Sequence, residues 1–265
     1  MSSLQIGLCF EVKSITKPNY AASLQAVDVL LFPELIDGGY AALCRGTAPH
    51  HVDDMFIDAF RKCSKRFSLY CIAGTSYLLN SSSRKTNTSL VFHRGQMLYR
   101  YDKIHLFKPT NDHKYFSRGD LIGTFPIVAG GRKTRAGIAI CYDLRFPELM
   151  RAMARRGMKI LFVPARWPAA REEAWIALLK ARAIENQIFV VGCNARGREG
   201  GNSYAFDPLG EMIFSSKGKN RLHLHTFRID LHTLSVARES HHNLRDAVLL
   251  TVFPQRRPLL ILEQR

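Results

Sequence analysis

Short runs of Val, Ile and Leu that are apolar on both faces punctuate this chain, and they constrain its fold more than any other feature. "VDVLLFP" (27–33), "KILFVPA" (159–165) and "QIFVVGCN" (187–194) show the pattern most clearly. A strand with one wet face alternates apolar and polar residues, whereas a strand apolar on both sides must be covered above and below. Further strand-like runs are "LQIGLCFEV" (4–12), "LYCIAGTSYLL" (69–79), "TNTSLVFH", "QMLYRYDK", "TRAGIAIC", "NSYAFDP", "EMIFSS" and "RLHLHTFRID". Helical patterns intervene at about 50–67, 147–156 and 169–186; in the last, Trp175, Leu178, Leu179, Arg182 and Ala183 recur at spacings of three and four. Pro147 suits a first helical turn and Gly157 a stop. The Arg94-Gly95 pair closes a tight hairpin between two strand runs. β-α-β units mixed with hairpins predict an α/β sandwich of mixed sheets rather than an alternating barrel. With no internal repeat, linker or low-complexity segment, one domain over residues 1–265 is the expectation.

Composition narrows the function. No apolar run approaches the roughly 20 residues that cross a bilayer. "MSSLQIGLCF" lacks the basic segment and long apolar run of a signal peptide, so a cytoplasmic protein that does not enter the membrane is expected. The cysteines at 9, 44, 63, 71, 141 and 193 form no CxxC pair and no metal-ligand spacing; they read as six reduced thiols, with no metal site. A net charge of +16 raises nucleic acid as a ligand. The basic residues are dispersed, however, and the densest cluster, "RAMARRGMK", reads as the solvated face of a helix. No nucleic-acid-binding signature accompanies it, so the milder reading is attraction of anionic substrates.

Chemistry concentrates where apolar runs end. "TRAGIAIC" delivers Cys141 to a polar cluster just before the helix at Pro147. A thiol becomes a useful nucleophile only with a base and a setting that favours thiolate. None of the 10 histidines stands at the end of an apolar strand, which leaves a Cys–His pair with little support. "VDVLLFPELIDGGY" instead ends a strand with Pro33 and Glu34, and "MLYRYDKIHLF" ends another with Asp102-Lys103. Ligands of open α/β sheets gather beyond the carboxyl ends of strands. Singly, Glu34 reads as a loop carboxylate, Lys103 as a solvated cation and Cys141 as buried packing; jointly they form a base, a cation and a nucleophile.

At this point the chain resembles the nitrilase superfamily of carbon–nitrogen hydrolases, and within it the ω-amidase-like branch. The resemblance rests on "LLFPELIDGGY", "YRYDKIHLF", "GIAICYDLRFPEL" and "WIALLKARAIENQIFVVGCNARG", in the family's order. It implies a four-layer α-β-β-α sandwich with two mixed sheets, commonly assembled as a homodimer or a larger homo-oligomer. It also implies a Glu34–Lys103–Cys141 triad that needs no cofactor and attacks the amide of a small carboxylated molecule through a thioester. Lys103 and the backbone N–H of Tyr142 would hold the oxyanion, and the helix after the Cys141 elbow would favour thiolate. Family members carry a further glutamate whose place here falls on Asp112, a shorter carboxylate, with His113 as a local competitor. Arg145 suits a substrate carboxylate, or an ion pair with Glu148 or Asp143. Tyr40 and Trp167 are expected as pocket walls, Trp167 equally as packing at a subunit contact, and Glu185 as a support of the site. Two departures stand out: a short first crossover, "SITKPNYAASLQA", and an altered C-terminus, "FPQRRPLLILEQR". Hydrolysis of N-carbamoyl compounds or nitriles, or an idle basic scaffold, are the alternatives.

Overall fold

The computed structural model describes residues 3–36, 38–44, 54–79, 85–129, 131–219 and 223–247. The first half supplies β1 (Ser3–Cys9), α1 (Ala21–Gln25), β2 (Val29–Leu31), α2 (Gly39–Cys44), α3 (Asp54–Arg66), β3 (Tyr70–Leu79), β4 (Lys85–His93), β5 (Gln96–Asp102) and α4 (Asp112–Tyr115). The second supplies β6 (Phe125–Ala129), β7 (Arg132–Ile138), α5 (Pro147–Arg155), β8 (Ile160–Ala165), α6 (Glu172–Asn186), β9 (Phe189–Asn194), β10 (Tyr204–Phe206), β11 (Met212–Ser215), β12 (Leu224–Asp230), α7 (Thr233–Ser240) and α8 (Asn243–Asp246).

These strands form two 6-stranded mixed sheets, ordered β12-β1-β2-β3-β4-β5 and β11-β10-β9-β8-β7-β6. In the first, β1, β2 and β3 run parallel; in the second, β7, β8 and β9 do. The remaining pairs are antiparallel. The middle strand of each trio, β2 and β8, is buried at every residue, covered on both faces, which is why its sequence is apolar throughout.

Side-chain alternation assigns the layers. Val29, Leu31, Tyr70 and Ile72 join one large core with Ile138, Ile160 and Phe162 of the other sheet. Their neighbours Leu30, Phe32, Cys71 and Ala73 point the other way, onto Leu24, Phe60, Cys63 and Phe67 of α1, α3 and the turn after α3. Met150 and Met153 of α5, with Trp175, Leu179 and Ala183 of α6, cover the second sheet. The α-β-β-α sandwich expected from the sequence is therefore the fold observed.

The expected helices agree to within a few residues: α5 ends at Arg155 before Gly157, and a 3-10 turn, Ala169–Arg171, leads into α6. The run at 50–67 becomes α3 from Asp54, while 50–53 lies outside the described residues. The short first crossover is made by two 3-10 turns, Val12–Thr16 and Pro18–Tyr20, and the five-residue α1. Arg94 and Gly95 both have positive φ, 50° and 84°, as a two-residue hairpin with right-handed strand twist requires. The C-terminal "FPQRRPLLILEQR" lies outside the described residues, as do His50 and His51. Among the described residues no helix is long and apolar enough to cross a membrane.

Candidate active site

Three strand ends meet at one cavity. Beyond β2, Pro33 and Glu34 enter a turn in which Leu35 has φ 47°. β3 passes so close to this turn that a Cβ on Gly74 would lie 1.9 Å from the Pro33 carbonyl oxygen. Glycine is therefore required there, and the β3–β4 register shifts at the same point, between Ala73 and Thr75. Lys103 follows β5, fixed by its backbone N–H to the Asn87 carbonyl at 2.8 Å. Cys141 follows β7 in a left-handed conformation, φ 47°, that non-glycine residues rarely adopt.

Asp143 holds that elbow in place. Its fully buried carboxylate accepts hydrogen bonds from Ile140 N at 3.0 Å, Tyr101 Oη at 2.8 Å and His105 N at 2.8 Å. Arg182 Nε donates to the Leu144 carbonyl at 3.0 Å, and Glu185 braces Arg182 at 3.1 Å. Glu185 is thereby linked, through Arg182, to the segment that follows Cys141.

Around Cys141 the ionisable groups interlock. Lys103 Nζ lies 2.9 Å from Glu34 Oε1 and 2.9 Å from Asp112 Oδ2, with all three side chains buried. Tyr40 Oη donates to Glu34 Oε1 at 2.9 Å, and Lys103 Nζ donates to Tyr40 Oη at 3.1 Å. Asp112 is further held by Phe107 N at 3.0 Å and Thr110 Oγ1 at 2.6 Å. Its competitor His113 is exposed, so Asp112 is the residue brought to the cluster. Glu34 also accepts from Asn87 Nδ2 at 2.9 Å and, on Oε2, from Arg166 N at 3.0 Å.

The cavity in front of Cys141 measures about 400 Å³ and is walled by Tyr40, Phe107, Tyr142, Arg145 and Trp167, among others. Trp167 is pinned by Nε1 to the Arg171 carbonyl at 2.8 Å and packs on Trp175 inside the chain. The Arg145 guanidinium lies over its ring, 4.9 Å from the centroid. Arg145 makes no ion pair with Asp143, which is engaged with His105, nor with Glu148. Of its two readings, the geometry leaves it at the cavity wall.

One electrostatic expectation is corrected. Burial and the neighbouring Glu34 charge push the Cys141 thiol well above its ordinary range, outweighing Lys103 and the hydrogen bond to the Arg166 carbonyl. No α-helix N-terminus offsets this, because Cys141 opens a 3-10 turn, Cys141–Arg145, and α5 begins only at Pro147. The resting group near neutral pH is a thiol. Burial would lower Lys103, yet the carboxylates of Glu34 and Asp112 beside it hold it well above the usual lysine range. Burial, reinforced by Glu34, likewise raises Tyr40.

Sequence reasoning missed Asn87, Arg166 and Glu199. Arg166 donates to the carbonyls of Glu34 at 2.8 Å and Leu35 at 2.6 Å, and pairs with Glu199 at 3.1 Å. Glu199 in turn accepts from the backbone N–H groups of Tyr40 and Ala41 at 3.1 and 2.6 Å. Asn87 carried a signal, since "TNTS" is a polar run within a strand and is wholly buried. Arg166 and Glu199 carried none. Among the described residues, no group of three or more His, Cys, Asp or Glu is placed to hold a metal ion.

A two-sheet sandwich with a cysteine elbow facing a lysine–carboxylate cluster defines a hydrolase of carbon–nitrogen bonds. The carbon–nitrogen hydrolase family model matches residues 12–239, and the chain belongs to that family. It is 33% identical over 218 residues to a 2-oxoglutaramate amidase of Bacillus subtilis, covering 80% of this chain and 82% of that one. It is 34% identical over 223 residues to an ω-amidase of Yersinia enterocolitica, covering 82% and 83%. Saccharomyces cerevisiae Nit3, a member of branch 10 of the nitrilase superfamily, shares the fold with a TM-score of 0.76, at 20% identity over 90% of this chain and 94% of that one.

Proposed function

We propose that this chain is a thiol-dependent amidase that hydrolyses the terminal amide of a small carboxylic or 2-oxo acid, releasing ammonia. The observation that carries the reading is Cys141, on a strained elbow, set against the buried Glu34–Lys103–Asp112 cluster at the base of a cavity whose wall includes Arg145, which has no ion pair among the described residues. The amidase relatives from Bacillus subtilis and Yersinia enterocolitica support the same substrate class.

The chemistry follows from the resting thiol. Glu34 takes the Cys141 proton as sulfur attacks the amide carbon, so thiolate forms only as it is consumed. Lys103 and the Tyr142 backbone N–H receive the charge that develops on the carbonyl oxygen. Collapse breaks the C–N bond, and Glu34 returns the proton to the departing ammonia. Water, deprotonated by Glu34, then adds to the thioester; collapse breaks the C–S bond, and Glu34 returns the proton to sulfur, freeing the carboxylic acid and the Cys141 thiol. Asp112 and Tyr40 act by positioning the Lys103 ammonium. Arg145 binds the substrate carboxylate, stacked on Trp167, where a guanidinium offers two parallel N–H donors. The enzyme works as one domain, in the cytoplasm, as a homodimer.

Ammonia release from 2-oxoglutaramate, 2-oxosuccinamate, glutamine, asparagine, a carbamoyl amino acid and a simple nitrile tests this, with Cys141→Ala as control. Turnover of the oxo-acid amides that vanishes in the variant is expected. Preference for the carbamoyl compound or the nitrile would move the reading within the family. No turnover together with an unreactive Cys141 would favour a basic binding scaffold.

A further inference from the structure

Among the described residues, five cations and one acid line the cavity in front of Cys141: Lys103, Arg145, Arg166, Arg171, Arg198 and Glu199. Lys103 is committed to Glu34 and Asp112, and Arg166 to Glu199 and two backbone carbonyls. Glu199 is neutralised by Arg166 and by the N–H groups it caps. Arg145, Arg171 and Arg198 are exposed and form no ion pair among the described residues. Glu172, the sequence neighbour of Arg171, is turned away onto Asn202, Tyr204 and Lys217. The loops that carry Arg171 and Arg198 are tied together, Ala169 N donating to the Gly200 carbonyl at 3.0 Å.

Like charges gathered around one concavity repel unless an anion joins them. One substrate carboxylate satisfies Arg145 and leaves two cations over. The cavity, at about 400 Å³, falls in the range of roughly 300–1,000 Å³ that takes drug-sized ligands, leaving room beyond a small ω-amide. We infer that Arg171 and Arg198 form a second anion subsite, and that the preferred substrate is an amide carrying two carboxylates, one held by Arg145 and the other by this pair. This rests on the amidase reading. The second carboxylate belongs either to the acyl part or to the amine that leaves. In both cases water adds across the same C–N bond, hydroxyl to the acyl carbon and hydrogen to the nitrogen; only the leaving group differs, ammonia or an amino acid.

The test measures binding apart from turnover. Cys141→Ala is titrated calorimetrically with three amides: glutaramate (one carboxylate), the monoamide of propane-1,2,3-tricarboxylic acid (a second on the acyl side) and glutarylglycine (a second on the amine side). One of the doubly charged amides should bind about tenfold more tightly than glutaramate or better. Adding Arg171→Gln and Arg198→Gln should erase most of that advantage, and high salt should reduce it. Neither compound binding more tightly than glutaramate, or an advantage that survives the double substitution, would overturn the subsite. Turnover of the three amides by the intact enzyme separates the two claims. A binding preference with no turnover would sink the amidase reading and leave the subsite standing. Turnover without preference would do the reverse.

Discussion

Cys141 and Glu34 are coupled, and the coupling has a sign that can be measured. The Glu34 charge helps to raise the Cys141 thiol, so removing it should lower the thiol's titration even as it removes the proposed base. Glu34→Gln is expected to shift the pH midpoint of Cys141 alkylation by iodoacetamide downward while amide turnover is lost. An unchanged or raised midpoint would contradict this account. Asn87 belongs to the same group, its amide donating to Glu34 Oε1 at 2.9 Å, and the proposed mechanism makes it a positioning residue. Hydrogen bonds to charged groups contribute about 1.5–3 kcal/mol. Asn87→Ala should therefore lower kcat about 10- to 100-fold with little change in KM. A fall in melting temperature without a fall in kcat would make Asn87 merely structural.

At the scale of elements, close approach decides as much as residue chemistry. Gly74→Ala would drive a Cβ into the Pro33 carbonyl and displace the turn that carries Glu34. Overpacking costs about 1–3 kcal/mol, so both stability and activity should fall. Phe60→Ala separates the two effects, because Phe60 is wholly buried between α3 and the outer face of the first sheet. It should cost about 3–5 kcal/mol in urea unfolding and leave kcat unchanged below the transition.

Elements were also what the sequence displayed best. Apolar runs on β2, β8 and β9 announced covered strands, and Pro147 and Gly157 marked the limits of α5. The strand ends gave Glu34, Lys103 and Cys141, because their position in the chain is local information. Asp112 needed the family pattern, since its partner Lys103 is contacted through a loop. The Arg166–Glu199 pair joins residues 33 apart that carry no shared pattern. Nor did the residue string show that Cys141 is buried beside the Glu34 charge, which is what raises the thiol against the pull of Lys103.

For the whole molecule, the two sheets meet at a further titratable joint. His225, on β12 of the first sheet, accepts a hydrogen bond at Nε2 from Arg196, just beyond β9 of the second, at 2.9 Å. Burial, then the Arg196 and Lys219 charges, lower its pKa from 6.5 to about 4. The unfolded chain therefore takes this proton first, so the contribution of neutral His225 is present above about 6.5 and lost as pH falls toward 4. Urea midpoints at pH 7 and 4.5 should differ more for the native chain than for His225→Gln. Equal differences would remove His225 from the acid response.

The central claim is that Cys141 forms a covalent acyl intermediate. Mixing the protein with 2-oxoglutaramate, quenching in acid within the first turnovers and weighing the intact chain tests it most directly. The mass should rise by the acyl group, and peptide mapping should place that group on Cys141. An acyl group on another residue, or undiminished ammonia release from Cys141→Ala, would contradict it.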